Sequence, residues 1–273
     1  MGKAPHEQEQ VNEAWRAFMM GEVPAFHRTR RVFKMLPSSP RCKVCYSPFH
    51  GPGGFVMKVI GRSPAKMNPN LCGTCEKFAR ERPGGAEIPL SLLFGDIRGS
   101  TGLAERLGTA QFSALIARFY DAVTDELIKE DALIDRLVGD EVVALFVPVL
   151  AGSDHAKAAL RGAQGLLRAT GHEDAGGPWV PVGIGLHTGR AFVGAVGSAG
   201  VSDITALGDD VNLTARLASI AQAGEILMTE GARAALELAT DGLEPRKLEL
   251  KGRSAPVDAW LMCVGAEVAA SNK

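Results

Sequence analysis

Leu137-Val138-Gly139-Asp140-Glu141-Val142-Val143-Ala144-Leu145-Phe146-Val147 is the stretch whose reading decides the fold. Apolar residues flank Gly139-Asp140 on both sides. Two buried strands, about 132–138 and 141–147, are therefore predicted to meet in a tight turn. The turn carries a carboxylate, Asp140, at a strand end. Upstream, the apolar run Ile88-Pro-Leu-Ser-Leu-Leu-Phe94 leads to a second carboxylate, Asp96, ahead of Gly99-Ser100-Thr101. Taken singly, Asp140 reads as an ordinary hairpin residue and Asp96 as a helix N-cap. At matched strand ends the two predict a shared cation site. Mg²⁺ is usually held by one or two carboxylates plus substrate phosphates. Two such ions about 3.5–4 Å apart can activate an attacking oxygen and stabilise the leaving one. Ile97 is predicted to add a backbone carbonyl.

Helices are predicted over 109–129, with Phe112, Leu115, Ile116, Phe119, Val123 and Leu127 on one side, and over 154–170 and 210–222. Further strands are predicted near 88–96, 179–187, 191–197, 201–206, 225–229, 246–250 and 256–263. The leading β-α-β-β-α-β order predicts an α+β, ferredoxin-like core within residues 87–265, with 266–273 as a tail. Residues 1–36 read as a helical segment. One helix spans Glu7 to Met20 with Val11, Trp15, Phe18 and Met19 at helical spacing, and a second spans Ala25 to Leu36. The basic patch Arg28, Arg30, Arg31 and Lys34 on the second reads as a solvated or subunit-facing surface. Residues 37–86 are rich in Pro, Gly and Cys, with little periodicity before Glu76 to Arg82, and they end in the linker Arg82-Pro-Gly-Gly-Ala86.

That small segment carries Cys42-x-x-Cys45 and Cys72-x-x-Cys75, with 26 residues between them. Two such knuckles in a core-poor segment predict a zinc-ribbon-like module with one structural Zn²⁺ on four thiolates, or an iron–sulfur cluster as the alternative. Disulfides do not suit the reducing compartment expected here. Cys263, alone in an apolar segment, reads as a core residue. The net charge of −1 gives no sign of a nucleic-acid surface. No apolar stretch reaches the about 20 residues of a membrane span, and the first residues lack the form of a secretory signal. A cytoplasmic protein with neither nucleic acid nor membrane as partner is the expectation.

The stretch Thr205-Ala-Leu-Gly208-Asp209-Asp210-Val211-Asn212-Leu-Thr-Ala-Arg216-Leu217 opens a helix after a glycine turn. Apolar residues cover most of its circumference, and only Asn212, Arg216 and Ser219 share a polar stripe. Asn212 and Arg216 are i and i+4 and point one way. On a helix otherwise fit for burial, they predict a ligand or a partner subunit, with a salt bridge to a core acid as the plainer reading. Asp209 and Asp210 read as N-caps, and His187 as a structural residue.

Phe94-Gly-Asp96-Ile-Arg-Gly-Ser100-Thr101, Val138-Gly-Asp140-Glu, Gly183-Ile-Gly-Leu-His187-Thr-Gly189 and Leu207-Gly-Asp-Asp-Val-Asn212-Leu-Thr-Ala-Arg216-Leu217 resemble the successive motifs of class III nucleotidyl cyclases. Order and spacing match over residues 88–262. The resemblance implies that Asp96 and Asp140 bind two Mg²⁺ or Mn²⁺ ions. It implies that Asn212 orients the ribose, that Arg216 stabilises charge on the α-phosphate, and that Lys251 contacts the terminal phosphates. It further implies ATP as substrate, cyclic AMP and pyrophosphate as products, and a head-to-tail homodimer whose two sites take the aspartates from one subunit and Asn212 and Arg216 from the other. Base choice falls to Arg136 and Thr205. Thr205 fits the adenine-selective pattern. Arg136 stands where adenylate cyclases usually have lysine, and an arginine fork is not interchangeable with an ammonium. Guanylate cyclase is the alternative reading. A second alternative is a catalytically weak cyclase-homology domain acting as a metal- or redox-responsive dimeric module. A diguanylate cyclase would need a fuller Gly-Gly-Asp-Glu-Phe motif, which is absent.

Overall fold

Residues 5–23, 32–33, 40–65, 69–198, 201–241, 243–250 and 255–263 are described by the computed structural model. The patch at Arg28, Arg30, Arg31 and Lys34, most of the helix expected over 25–36, Lys251 and the 266–273 tail lie outside the described residues. The chain divides into two units. One comprises Met1–Pro89, Val147–Ser153 and Arg190–Gly208; the other comprises Leu90–Phe146, Asp154–Gly189 and Asp209–Lys273.

The second unit carries the β-α-β-β-α-β order read from the sequence. Strand β1 (Gly84–Ile97) leads to helix α4 (Ser100–Lys129), the hairpin β2 (Leu133–Val138) and β3 (Glu141–Phe146), helix α6 (His155–Ala169) and strand β4 (Val182–Ser198). These strands lie in the order β2-β3-β1-β4, the ferredoxin-like arrangement, and β6 (Glu225–Thr229), β8 (Val257–Cys263) and β7 (Glu244–Leu248) extend it. Helix α7 (Asp209–Ile220) precedes β6 and α8 (Glu230–Ala235) follows it. Leu90, Leu92, Leu93, Phe119, Val123, Leu127, Leu145, Phe146, Leu166 and Leu167 are buried here. Each contributes about 1.5–3 kcal/mol on leaving water.

Two expectations are corrected. The strands expected at 179–187 and 191–197 are one continuous strand, β4. Gly189, which falls between the two expected strands, lies within β4 and leaves space for side chains described below. The helix expected over 109–129 is present, preceded by a further helical stretch from Ser100 and set off from it by the non-helical Gly108, which holds φ +73°. Cys263, read as a core residue, is exposed at the end of β8.

In the first unit, helices α1 (Pro5–Met19), α2 (Gly51–Val59) and α3 (Gly73–Arg80) precede β1. A short helix, α5 (Pro148–Ala151), and strand β5 (Val201–Leu207) complete it. Helix α1 adds apolar residues to the few that the Cys segment buries itself, among them Val44, Leu71 and Ala79. Trp15 and Phe18 are buried, Phe18 stacks on Phe78 of α3 at 5.7 Å, and Trp15 Nε1 donates to the Arg82 carbonyl (3.0 Å). Helix α2 was not expected, because its Gly-Pro-Gly-Gly start is a poor helix former. Its Phe55, Val56, Val59 and Ile60, the last at the C-cap, stay 55–72% exposed.

Candidate active site and metal centre

The β2–β3 turn is two residues long, with Val138 paired to Glu141. Gly139 holds φ +62° and Asp140 does not, the pattern of a type II′ hairpin turn with glycine first. On the other side of β3, Asp96 of β1 stands opposite Glu141, and the Ile97 N–H donates to the Asp140 carbonyl (3.1 Å). Backbone pairing therefore brings Asp96, Ile97 and Asp140 to one end of the sheet, with Glu141 as a third carboxylate. Tyr120 of α4 donates to the Gly139 carbonyl (2.8 Å) and fastens the turn.

The electrostatics of this end suit a cation. Burial raises the Asp96 carboxyl above its ordinary value, its ion pair with Arg98 opposes the rise, and the Asp140 charge adds to it. Burial, then the Asp96 charge, raises Glu141. Carboxylates that resist ionisation beside one another are relieved by a divalent ion. Arg98 is the residue that sequence reasoning missed. Besides pairing with Asp96, its Nη1 donates to the Ser219 carbonyl in the last turn of α7 (2.6 Å), and its N–H donates to the Pro181 carbonyl (2.8 Å). The single Arg between Ile97 and Gly99 was the available signal.

Helix α7 packs its apolar side into a cluster of Leu213, Leu217, Ala221, Leu227, Leu250, Ala259 and Leu261. Strand β4 meets it backbone to backbone. A Cβ on Gly183 would fall 2.4 Å from the Ala221 carbonyl oxygen, and one on Gly185 would fall 2.5 Å from that of Thr214. This close approach is the physical content of the Gly183-Ile-Gly185 motif. Asn212 is exposed and Arg216 half-buried; their side chains bond to no described residue. Asn212 lies seven residues, ~10 Å along the axis, from Ser219, where Arg98 ties the helix to Asp96. Asp209 and Asp210 stand within the first turn rather than ahead of it. The Asp210 carboxylate reaches His187 Nε2 at 3.0 Å, which corrects its reading as a simple N-cap.

The residues expected to read the base fall in different units. Arg136 is exposed on β2, 3.4 Å from the Asp135 carboxylate. A β-bulge between Ile134 and Arg136 pairs Arg136 with Val143. Thr205 is half-buried on β5, opposite Gly194 of β4.

In the first unit Cys42, Cys45, Cys72 and Cys75 are all buried, and their sulfurs lie within 4.8 Å of one another. Cys45 and Cys72 Sγ are 3.7 Å apart. Four thiolates at ~2.3 Å from one tetrahedral ion stand ~3.8 Å apart, so the group fits a single ion. A cluster would interpose several irons and spread the sulfurs further. The first knuckle closes with the Tyr46 N–H donating to the Cys42 carbonyl (2.8 Å), and Tyr46 takes φ +62° to do so. The Cys72 N–H donates to Cys42 Sγ (3.3 Å) and Arg62 Nη1 to Cys45 Sγ (3.5 Å), both of which favour thiolate. Without a cation, hydrogen bonding among the thiols, then burial, raises Cys42 and Cys75, while hydrogen bonding to Cys42 lowers Cys45 and Cys72. A metal removes that competition for protons.

Comparison with known proteins agrees with this geometry. The profile of the "Adenylate and Guanylate cyclase catalytic domain" matches residues 87–263. Adenylate cyclase 1 of Rhizobium meliloti is 29% identical over 180 residues, 63% of this chain and 27% of that protein. An uncharacterized protein of Mycobacterium tuberculosis is 32% identical over 145 residues, 52% of this chain and 26% of its own length. The chain thus spans about a quarter of the length of these curated relatives. Among solved structures, the adenylyl cyclase CyaB from P. aeruginosa superposes with TM-score 0.57 at 28% identity, covering 69% of this chain and 97% of that one. The guanylyl cyclase Cya2 gives TM-score 0.59 at 24% identity, covering 69% and 100%.

Proposed function

Because this chain belongs to the adenylate and guanylate cyclase catalytic-domain family, we propose that it converts ATP to 3′,5′-cyclic AMP and pyrophosphate. The observation that carries this reading is the convergence of Asp96, Asp140 and Glu141 at one sheet end. In the reaction the ribose 3′-hydroxyl gives up its proton to water, and its oxygen bonds to the α-phosphorus. The bond from that phosphorus to the bridging oxygen breaks, and pyrophosphate leaves with the electron pair. Asp96, Asp140 and the Ile97 carbonyl are the proposed holders of two Mg²⁺ or Mn²⁺ ions, which when bound would lower the pKa of the 3′-hydroxyl and neutralise the phosphates. Asn212 orients the ribose, Arg216 places positive charge at the α-phosphate, and Lys251 meets the terminal phosphates.

The Asn212–Arg216 stripe, whose side chains bond to no described residue, supports a homodimer in which each site takes its aspartates from one copy and this stripe from the other. Adenine is favoured by Thr205 and by the relative named as an adenylate cyclase. Guanine is the second reading, kept because Arg136 is not the lysine usual for adenine and so is not diagnostic. For the first unit we propose one structural Zn²⁺ on Cys42, Cys45, Cys72 and Cys75, supported by the single-ion spacing. The proposed organisation is a helical segment 1–36, the metal module and linker 37–86, the catalytic domain 87–265 and a tail 266–273. The whole acts in cytoplasmic signalling. No helix among the described residues is long and apolar enough to cross a membrane.

The test is turnover of ATP and GTP with Mg²⁺ and with Mn²⁺, products separated by chromatography. Cyclic AMP in excess is expected; cyclic GMP in excess moves the reading to guanylate cyclase, and no cyclic product from either removes it. Asp96→Ala and Asn212→Ala chains, each inactive, should regain activity when mixed, through one intact site per dimer. Failure to do so would count against the shared site.

A further inference from the structure

His187 is 7% exposed on β4. Its Nδ1 lies 2.8 Å from the Thr229 hydroxyl, and its Nε2 lies 3.0 Å from the Asp210 carboxylate. Thr229 also caps α8, its hydroxyl oxygen accepting from the Ala232 N–H (3.3 Å). The hydroxyl proton is then free to be donated to Nδ1, which puts the ring proton on Nε2, facing Asp210. That N–H meets the carboxylate off the line of a well-directed hydrogen bond, so the contact is one of a ring dipole with a nearby carboxylate. Gly189 keeps the space open: a Cβ there would fall 2.3 Å from both His187 Nε2 and Asp210 Oδ2.

Asp210 stands in the first turn of α7, two residues before Asn212 and six before Arg216. Its carbonyl accepts from the Thr214 hydroxyl (2.7 Å), and the Thr214 carbonyl presses on Gly185 of the same strand as His187. At 100° per residue, Asp210 and Thr214 share the side of the helix that faces β4, while Asn212 and Arg216 lie roughly opposite. The rest of the buried side packs through apolar residues, and the Arg98 bond to the Ser219 carbonyl holds the far end of the helix. A turn of ten degrees moves a group ~6 Å from the axis by ~1 Å, and about 1 Å of misplacement can cost on the order of a hundred-fold in rate.

We propose that His187 and Asp210 act as a positioning pair that fixes the rotation of α7 and so the aim of Asn212 and Arg216. The inference rests on the cyclase reading for its effect on turnover. His187→Ala and Asp210→Ala should each lower kcat by about ten-fold or more, with KM within about three-fold. The double variant should lose no more than the worse single, as expected of two residues acting as one unit. His187→Gln, whose amide N–H can reach Asp210, should recover most of the loss; a merely structural role would show in melting temperature and not in this rescue. Amide hydrogen exchange of residues 211–214 should quicken in both alanine variants, and no further in the double. Losses that multiply in the double variant, or wild-type kcat in both singles, overturn the proposal. If the wild-type chain makes no cyclic product, the cyclase reading fails by itself, and the exchange cycle alone decides whether the pair pins α7. Unchanged exchange there overturns it.

Discussion

The Cys module and the sheet unit reach order by opposite routes. In the sheet unit, apolar residues point inward, and Leu92, Leu93, Phe119 and Phe146 are buried. Register then brings Asp96 beside Asp140 with no ligand needed. In the module, α2 leaves Phe55, Val56, Val59 and Ile60 largely exposed. Buried instead are four sulfurs, a few apolar side chains, among them Val44, Leu71 and Ala79, and Trp15, Phe18 and Met19 of α1. If the proposed zinc is bound, one region is organised by burial and the other by ligation, and metal removal should separate them.

The largest effect is expected at the sulfurs. Structural zinc supplies on the order of 10–16 kcal/mol of apparent binding free energy to small domains that fold around it. Cys42→Ser with Cys72→Ser, or a strong chelator, should therefore unfold residues 40–80 while the β1–β3 ladder stays protected. Hydrogen exchange read separately over 40–80 and 133–146 checks this. Equal protection of 40–80 with and without metal would end the contrast. One zinc per chain and a colourless sample are expected; visible absorption would indicate iron.

At the sheet end the expected loss is functional. Asp96→Ala and Asp140→Ala should each cost at least about a hundred-fold in turnover, the scale of losing one electrostatic partner of a transition state. Thermal unfolding should stay cooperative in both. Unfolded variants would show that these carboxylates maintain the fold, making the two regions alike.

The legibility of the two regions differs for the same reason. Burial leaves a periodic trace, so the β2–β3 hairpin and helices α6 and α7 could be read from apolar spacing, and strand ends carried Asp96 and Asp140 with them. Ligation leaves only its ligands: the two Cys-x-x-Cys spacings were readable, and helix α2, begun by Gly51-Pro-Gly-Gly54, was not. Close approach misleads in a third way. Gly189 falls in the gap between two expected strands, yet β4 runs through it, and the place a side chain would take is filled by His187 and Asp210. Arg98 was invisible because its partners, Asp96, Pro181 and Ser219, are joined only by the fold.

Linkage gives a smaller, pH-dependent effect. Burial raises Asp96 and Glu141 above their unfolded values. Each therefore contributes stability that is fully present below the ordinary carboxylate value and lost as pH rises through the raised one. Above that window the ionised pair costs stability, and a divalent ion relieves it. The stabilisation by Mn²⁺, followed by melting temperature, should be small in mild acid and grow towards neutrality, where its free energy approaches ~2.7 kcal/mol at about 100 times Kd. A gain independent of pH would remove the carboxylates from the binding site. Arg98→Ala, which frees Asp96 from its ion pair, should lower the half-saturating metal concentration a few-fold.

The smallest effect tests where register, rather than residue type, sets function. The bulge at Asp135 changes the pairing of β2, so that Arg136 lies opposite Val143 with its side chain 45% exposed and beside the Asp135 carboxylate. A lysine there would present a compact ammonium in place of the planar fork, with three rotatable donors for a purine edge. If Arg136 contacts the base, Arg136→Lys should shift the ATP-to-GTP ratio of kcat/KM a few-fold towards ATP, on the order of 1 kcal/mol, with little change in melting temperature. An unchanged ratio would mean that Asp135 keeps Arg136 from the base, leaving Thr205 as the proposed selector. The sheet unit would then resemble the Cys module in one respect: an exposed side chain whose role the backbone does not dictate.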